Sequence, residues 1–145
     1  MAKIGYGTKQ ILISMRNLVS PTMVHNYAIE ATQEARSHDE QISAVFYHVK
    51  NLIHSHRYTS EALQTPYDTL NYGAGDADDV AVLVASLLEA LNFKTRFKVV
   101  AVNHKEFHHV YTQVFQNGMW IALDPLYSDT VGGEPHSIKK SAVEE

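Results

Sequence analysis

The feature that most restricts the fold is a change of hydrophobic period near residue 94. Apolar residues recur every three or four positions up to residue 91, the spacing of a helix face, and alternate from 95 onward, the spacing of a strand. Ile11, Leu12, Met15, Leu18 and Val19 predict a helix over 9–19, which Ser20-Pro21 breaks. Met23, Val24, Tyr27, Ala28 and Ala31 predict a second over 22–36. A third starts at Asp39, carries Ile42, Val45, Phe46, Val49, Leu52 and Ile53 on one face, and ends near His54–His56. Residues 57–75 are irregular and hold the turn formers Pro66, Asp68, Asn71, Gly73 and Gly75. Val80, Leu83, Val84, Leu87, Leu88 and Leu91 then mark a helix over 77–91 whose apolar face is broad enough to make it the most buried. Beyond it lie three alternating stretches: "TRFKVVAV", "HHVYTQVFQ" and "MWIALD". After Pro125 the periodicity is lost, and 128–145 reads as a loop and a flexible tail. Helices followed by a short meander predict an α+β fold, with N-terminal helices and a buried central helix on a small antiparallel sheet. The expected organisation is one domain over 1–127, with 128–145 as its tail.

Composition excludes several function classes. The 145 residues suffice for one core without disulfides or metal. A net charge of −4 and no basic run longer than Lys139-Lys140 argue against a nucleic-acid partner, since phosphate binding needs clustered cations. There is no cysteine, which rules out disulfides and thiolate metal sites. The longest apolar stretch, Val80 to Leu88, is interrupted by Ser86 and far too short to span a bilayer. "MAKIGYGTKQ" has no signal-peptide h-region, so a cytoplasmic location is the default expectation. No cofactor is expected, and the oligomeric state is open.

Asn117-Gly118 between two alternating runs is a strong two-residue hairpin signal. With such a turn Gln116 pairs with Met119, and paired residue numbers sum to 235. His109, Tyr111, Gln113 and Phe115 then share a face with Trp120, Ala122 and Asp124. His109 and Asp124 become diagonal neighbours roughly 7–8 Å apart at the backbone, within side-chain reach. An imidazole oriented by a carboxylate is two-thirds of a catalytic triad. A bulge or a three-residue loop would reverse the parity and select His108 instead.

The stretch "GAGDADD", 73–79, opens the buried helix. Asp76 is a good N-cap, and Asp78 sits with Asp79 in the first turn, where negative charge favours the dipole. A thiol at such a helix start has a lowered pKa, and the free N–H groups can stabilise an oxyanion. Position 77 is where a nucleophile would sit, yet it is Ala77, which has none. A calcium loop is excluded, because its fifth, sixth and twelfth positions would be Val80, Ala81 and Leu87.

Together, "GDADDVAVLVASLLEALNFKTRF" (75–97), "EFHHVYTQVF" (106–115) and "NGMWIALDP" (117–125) resemble the transglutaminase-like superfamily of cysteine enzymes. The likeness is greatest to its compact bacterial and phage branch, which reads approximately G-D-C-D-D before an apolar helix, then H-V-[WY], then G-x-W-x-x-L-D-P. "QTPYDTL" (64–70) is similar to the segment leading into the nucleophile loop. The resemblance covers residues 40–127, and the first helices carry no matching motif. It implies a papain-like core, His109 as general base, Asp124 as orienting acid, and the nucleophilic Cys at the place of Ala77. It also implies acyl transfer at a peptide or protein amide through a thioester. Gln64 and Asn71 are candidate second oxyanion donors, and Tyr72, Asp76 and Asp78 complete the expected cleft. With no thiol the chain should be inactive in this chemistry, since losing a triad nucleophile costs on the order of 10⁶ in rate in a serine protease.

Three functional readings compete. The first is a cysteine protease or amidase in a form whose nucleophile is replaced by Ala77. The second is a natural pseudoenzyme that binds a peptide or protein in the old cleft, with Tyr67, Tyr72, Tyr111 and Trp120 as aromatic surface. The third is a metal site drawn from His54, His56, His104, His108 and His109; it is disfavoured because His108 and His109 face opposite ways along a strand.

Overall fold

The computed structural model describes residues 6–53, 62–102 and 106–144. The described residues form helices α1 (Tyr6–Leu18), α2 (Pro21–Ala31), α3 (His38–Leu52), α4 (Pro66–Tyr72) and α5 (Ala77–Ala90). Strands β1 (Lys94–Ala101), β2 (His109–Gln116), β3 (Met119–Leu123) and β4 (Lys140–Val143) come after them. They make one antiparallel sheet in the order β3-β2-β1-β4, so the fold is α+β.

The helix boundaries have local causes. Ser20-Pro21 ends α1 and also starts α2: the Ser20 hydroxyl accepts the Met23 N–H, and Pro21 occupies the first turn. Helix α2 is shorter than the expected 22–36. Its last residue is Ala31, and the Thr32 hydroxyl donates back to the Ala28 carbonyl at 2.8 Å. Ser37 rather than Asp39 opens α3, accepting the Glu40 N–H. The described part of α3 ends at Leu52, and the expected end at His54–His56 lies outside the described residues. Within the stretch expected to be irregular, 57–75, Thr65 and Pro66 start the seven-residue helix α4, which Gly73 closes at φ 64°. Two turns are too short to leave a periodic signature.

Helix α5 lies at the centre, as its broad apolar face predicts. Every residue from Asp79 to Leu88 is buried. Val80, Leu83, Val84, Leu87 and Leu88 pack with Val24 and Ala28 of α2 and with Ile42, Val45, Phe46 and Val49 of α3. Ala81, Val82 and Ala85 pack with Leu12 and Met15 of α1 and with Phe97, Val99, Val110 and Ala142 of the sheet. Two buried hydroxyls fix the helix between its neighbours. Thr112 of β2 donates to the Ala81 carbonyl at 2.8 Å, and Ser86 donates to the Val82 carbonyl while accepting the Ser20 N–H at 3.0 Å.

The hairpin has the expected register, with Gln116 opposite Met119, Phe115 opposite Trp120 and Thr112 opposite Leu123. Asn117 (φ 54°) and Gly118 (φ 77°) are both left-handed, as a type I′ turn requires. The segment expected to be a loop and tail is different: Lys140–Val143 is a strand that closes the sheet against β1. Ala142 is buried there. Next to it, Glu144 takes two hydrogen bonds from Arg16, which also reaches Glu89 at 2.6 Å. Four residues with one apolar side chain facing inward show no alternation to read.

Ser86→Ala should strand the partly buried Ser20 N–H at the α1–α2 corner. A loss of about 1–2 kcal/mol is expected, read as a lower urea midpoint at unchanged m-value.

Candidate active site

The sheet has two faces. One packs on α5; the other carries His109, Tyr111, Gln113, Ala122 and, one residue past the last β2–β3 pair, Asp124. On that second face His109 Nε2 lies 2.8 Å from Asp124 Oδ2, with His109 9% and Asp124 2% exposed. An ionised carboxylate only accepts, so Nε2 carries the hydrogen and Nδ1 is left as the basic nitrogen. The Tyr127 ring stands edge-on to the imidazole at 4.7 Å between centroids. His108 is exposed, and its backbone N–H donates to the Val100 carbonyl. The turn parity thus brings His109, not His108, to Asp124.

The start of α5 is near enough to this pair for Asp78 and His109 to interact electrostatically. Asp76 caps it by accepting the Asp79 N–H, and the Asp79 carboxylate accepts the Asp76 N–H in return. Asp79 is buried, and its second oxygen takes the Gln64 backbone N–H at 2.8 Å. Gly75 is required by this lock rather than by a sharp bend. A Cβ there would stand 2.8 Å from Asp79 Cβ and 3.3 Å from Gln64 Nε2. The box uses the N–H groups of Asp76 and Asp79, which leaves those of Ala77 and Asp78 as the helix-start donors outside it.

Ala77 packs in the same cluster as Val110, the neighbour of His109. The Thr112–Ala81 bond aligns the two elements. The short 91–93 connection reverses the chain from α5 into β1, and β1 is antiparallel to β2, so α5 and β2 run in the same general direction and their starts lie toward the same end of the molecule. Asp78 and His109 interact electrostatically. Burial first, then the charges of Asp76 and Asp79, push the Asp78 carboxyl up to about 6, while His109 pulls it down.

The other expected cleft residues divide. Asn71 and Tyr72 lie exposed on the last turn of α4, and Tyr67 is exposed on its first. Gln64 points inward: Nε2 donates to Thr69 Oγ1 and to the Ala74 carbonyl, each at 3.1 Å. Both its amide hydrogens are engaged, so this side chain holds no donor for an oxyanion; its Oε1 is buried without a partner. Tyr111 is buried, not part of an open cleft, and bonds through its hydroxyl to Glu134, which also accepts from Lys98 at 2.7 Å. Burial would raise the Glu134 carboxyl, but Lys98 and Tyr111 outweigh it and hold it low. Trp120 is not in the core; it lies half-buried under the Arg96 guanidinium, 4.2 Å from the ring centre. Among the described residues no three metal-ligating side chains form a cluster, and His54, His56 and His104 lie outside them. No helix of the described residues is long and apolar enough to cross a membrane.

Three residues near the pair carried no sequence signal. Lys50 and Tyr127 meet the Asp124 turn from α3 and from the turn itself, and Glu134 sits in the segment expected to be a tail. Only the "DPLY" turn, placing an aromatic three residues after Asp124, could have pointed to Tyr127.

An acid whose folded pKa is raised destabilises the fold as it ionises. The Asp78 contribution is therefore neutral below about pH 4 and becomes unfavourable as pH rises through about 6. Asp78→Asn should be more stable than the parent at pH 7–8, by about 1–2 kcal/mol after allowing for solvent screening. The gap should close below pH 4, as measured by urea unfolding at several pH values.

The comparisons agree with this architecture. The profile of the transglutaminase-like superfamily matches residues 25–125, starting within α2, earlier than the first matching sequence motif. A candidate cysteine protease from Cytophaga hutchinsonii superposes with a TM-score of 0.65 at 15% identity, covering 92% of this chain and 53% of that one. A candidate protease from Parabacteroides distasonis superposes with a TM-score of 0.67 at 14% identity, covering 85% of this chain and 26% of that one. The chain thus spans about half the length of the first and a quarter of the second. No curated protein matches the sequence significantly. A profile that matches 101 of 145 residues, over the elements that carry Ala77, His109 and Asp124, places this chain in the transglutaminase-like superfamily.

Proposed function

We propose that this is the scaffold of a cysteine protease or amidase, with residue 77 as the nucleophile position, His109 as general base and Asp124 as orienting acid. The observation that carries the reading is the buried 2.8 Å His109–Asp124 pair, whose free Nδ1 lies at the same end of the molecule as the start of α5. The family membership and the two protease-like structures support it. With a thiol at position 77, Sγ–H gives its proton to His109 Nδ1, and the sulfur attacks the amide carbonyl carbon. The N–H groups of Ala77 and Asp78 face the developing oxyanion. The C–N bond breaks, and the amine leaves with the proton held by the imidazolium. Water, or a second amine, then takes the acyl group from the thioester. The chain as it stands has no sulfur at residue 77, cannot form the thioester, and is inactive in this chemistry.

A second reading rests on exposed aromatic surface. Tyr72 (56% exposed) on α4 and Tyr127 (63% exposed) beside His109 would hold a peptide in a cleft that no longer cuts. The Ala77→Cys variant separates the two, read as iodoacetamide alkylation against pH. On the protease reading the thiol titrates below about 7.5, and His109→Ala in that background moves it back up by at least one unit. A thiol that titrates near 8.5, like a free one, removes the protease reading and leaves the binding cleft.

A further inference from the structure

The pairing of β2 with β3 ends at Thr112 opposite Leu123. Asp124 is the next residue, so the sheet ladder does not fix the backbone that carries the orienting carboxylate. From Asp124 the chain enters a tight turn in which the Ser128 N–H donates to the Asp124 carbonyl at 2.9 Å. This turn is held from outside by Lys50, in the last turn of α3. Its ammonium donates to the Pro125 carbonyl at 3.2 Å and to the Ser128 carbonyl at 2.8 Å, and pairs with Asp129 Oδ1 at 3.4 Å. Three ammonium hydrogens meet three oxygens, all on the one turn. Asp129 is 98% exposed and screened, so the two carbonyl bonds carry the anchoring. The same turn carries Tyr127, whose ring abuts the His109 imidazole. Lys50 therefore fixes, through one short stretch of backbone, both the carboxylate that bonds His109 Nε2 and the ring that packs on the imidazole edge.

We infer that Lys50 is a positioning residue of the site: by tying the 125–129 turn to α3, it holds Asp124 and Tyr127 so that His109 keeps its hydrogen on Nε2 and presents Nδ1. This rests on the His109–Asp124 reading above, and its physical basis is steep. A reacting group displaced by about 1 Å costs on the order of a hundredfold in rate. A side chain that merely stabilises the fold would change the unfolding midpoint and leave the imidazole tautomer alone.

The test uses the chain as it is, with Ala77, and reads the ring nitrogens of His109 by ¹⁵N NMR above the pH at which the imidazole is neutral. The parent should show one tautomer, hydrogen on Nε2. Lys50→Met, which keeps the stem and removes all three donors, should raise the Nδ1–H tautomer several-fold. Lys50→Gln, which keeps an amide donor for one carbonyl, should fall between them and covers the case in which the Met variant does not fold. In an Ala77→Cys background, Lys50→Met should slow iodoacetamide alkylation at pH 7 about tenfold. Asp124→Ala, which removes the acceptor, is the control. If it leaves the tautomer unchanged, the dyad reading fails and the role of Lys50 falls with it. If Asp124→Ala mixes the tautomers while Lys50→Met and Lys50→Gln keep the parent's single form, the dyad stands and the positioning role is overturned.

Discussion

The structure depends on the burial of α5 from Asp79 to Leu88. A helix with an apolar stripe needs one partner; a helix with no exposed residue from Asp79 to Leu88 needs a layer on every side. Helices α2 and α3 cover one side of it, and α1 together with the sheet covers another. Burying Val80, Leu83, Val84, Leu87 and Leu88 alone is worth on the order of 1.5–3 kcal/mol each before entropy is counted. The order of elements, helices first and strands after, results from wrapping that one segment.

The same burial dictates the chemistry at its start. Helix α5 is buried from Asp79 onward, so a donor there cannot be left to water and must find an acceptor within the protein. Asp76 and Asp79 satisfy part of the set through their reciprocal bonds, and Asp79 uses its remaining oxygen to bind the loop at Gln64. This crowds three carboxylates into one turn and raises Asp78, which is tolerable because His109 approaches from the strand. The result is a half-buried helix start in which the Ala77 and Asp78 N–H groups lie outside the capping box and Asp78 interacts electrostatically with His109.

The sequence carried most of this, element by element. The helix starting at Asp76 was legible because acids at a helix start and a 3.6-residue stripe are local facts. The His109–Asp124 pair was legible because Asn117-Gly118 admits few turn geometries, and a two-residue turn fixes the parity of both strands. By contrast, α4 and β4 were missed because seven and four residues give too few repeats to define a period. Gln64 was misjudged as a possible oxyanion donor, because nothing in "QTPYDTL" tells that Thr69 and Ala74 will take its amide hydrogens. Glu134 was missed with the tail it sits in; its partners Tyr111 and Lys98 are 23 and 36 residues away.

By itself the sequence determined the quantities with short range: where the buried helix begins, which residues cap it, which face of the hairpin holds His109, and that position 77 has no nucleophile. These depend on spacing within a turn or across one hairpin, where covalent geometry leaves little freedom. Only the tertiary structure decided which long-range polar contacts hold the site in place. Lys50 reaching the Asp124 turn across 75 residues, Arg16 reaching Glu144 across 128, and the closure of the sheet by β4 all join elements whose approach is set by packing. A lone Lys or Arg on a helix face has the same local sequence whether it meets solvent or a carbonyl. The packed core settles which, by fixing where the other end of the chain passes.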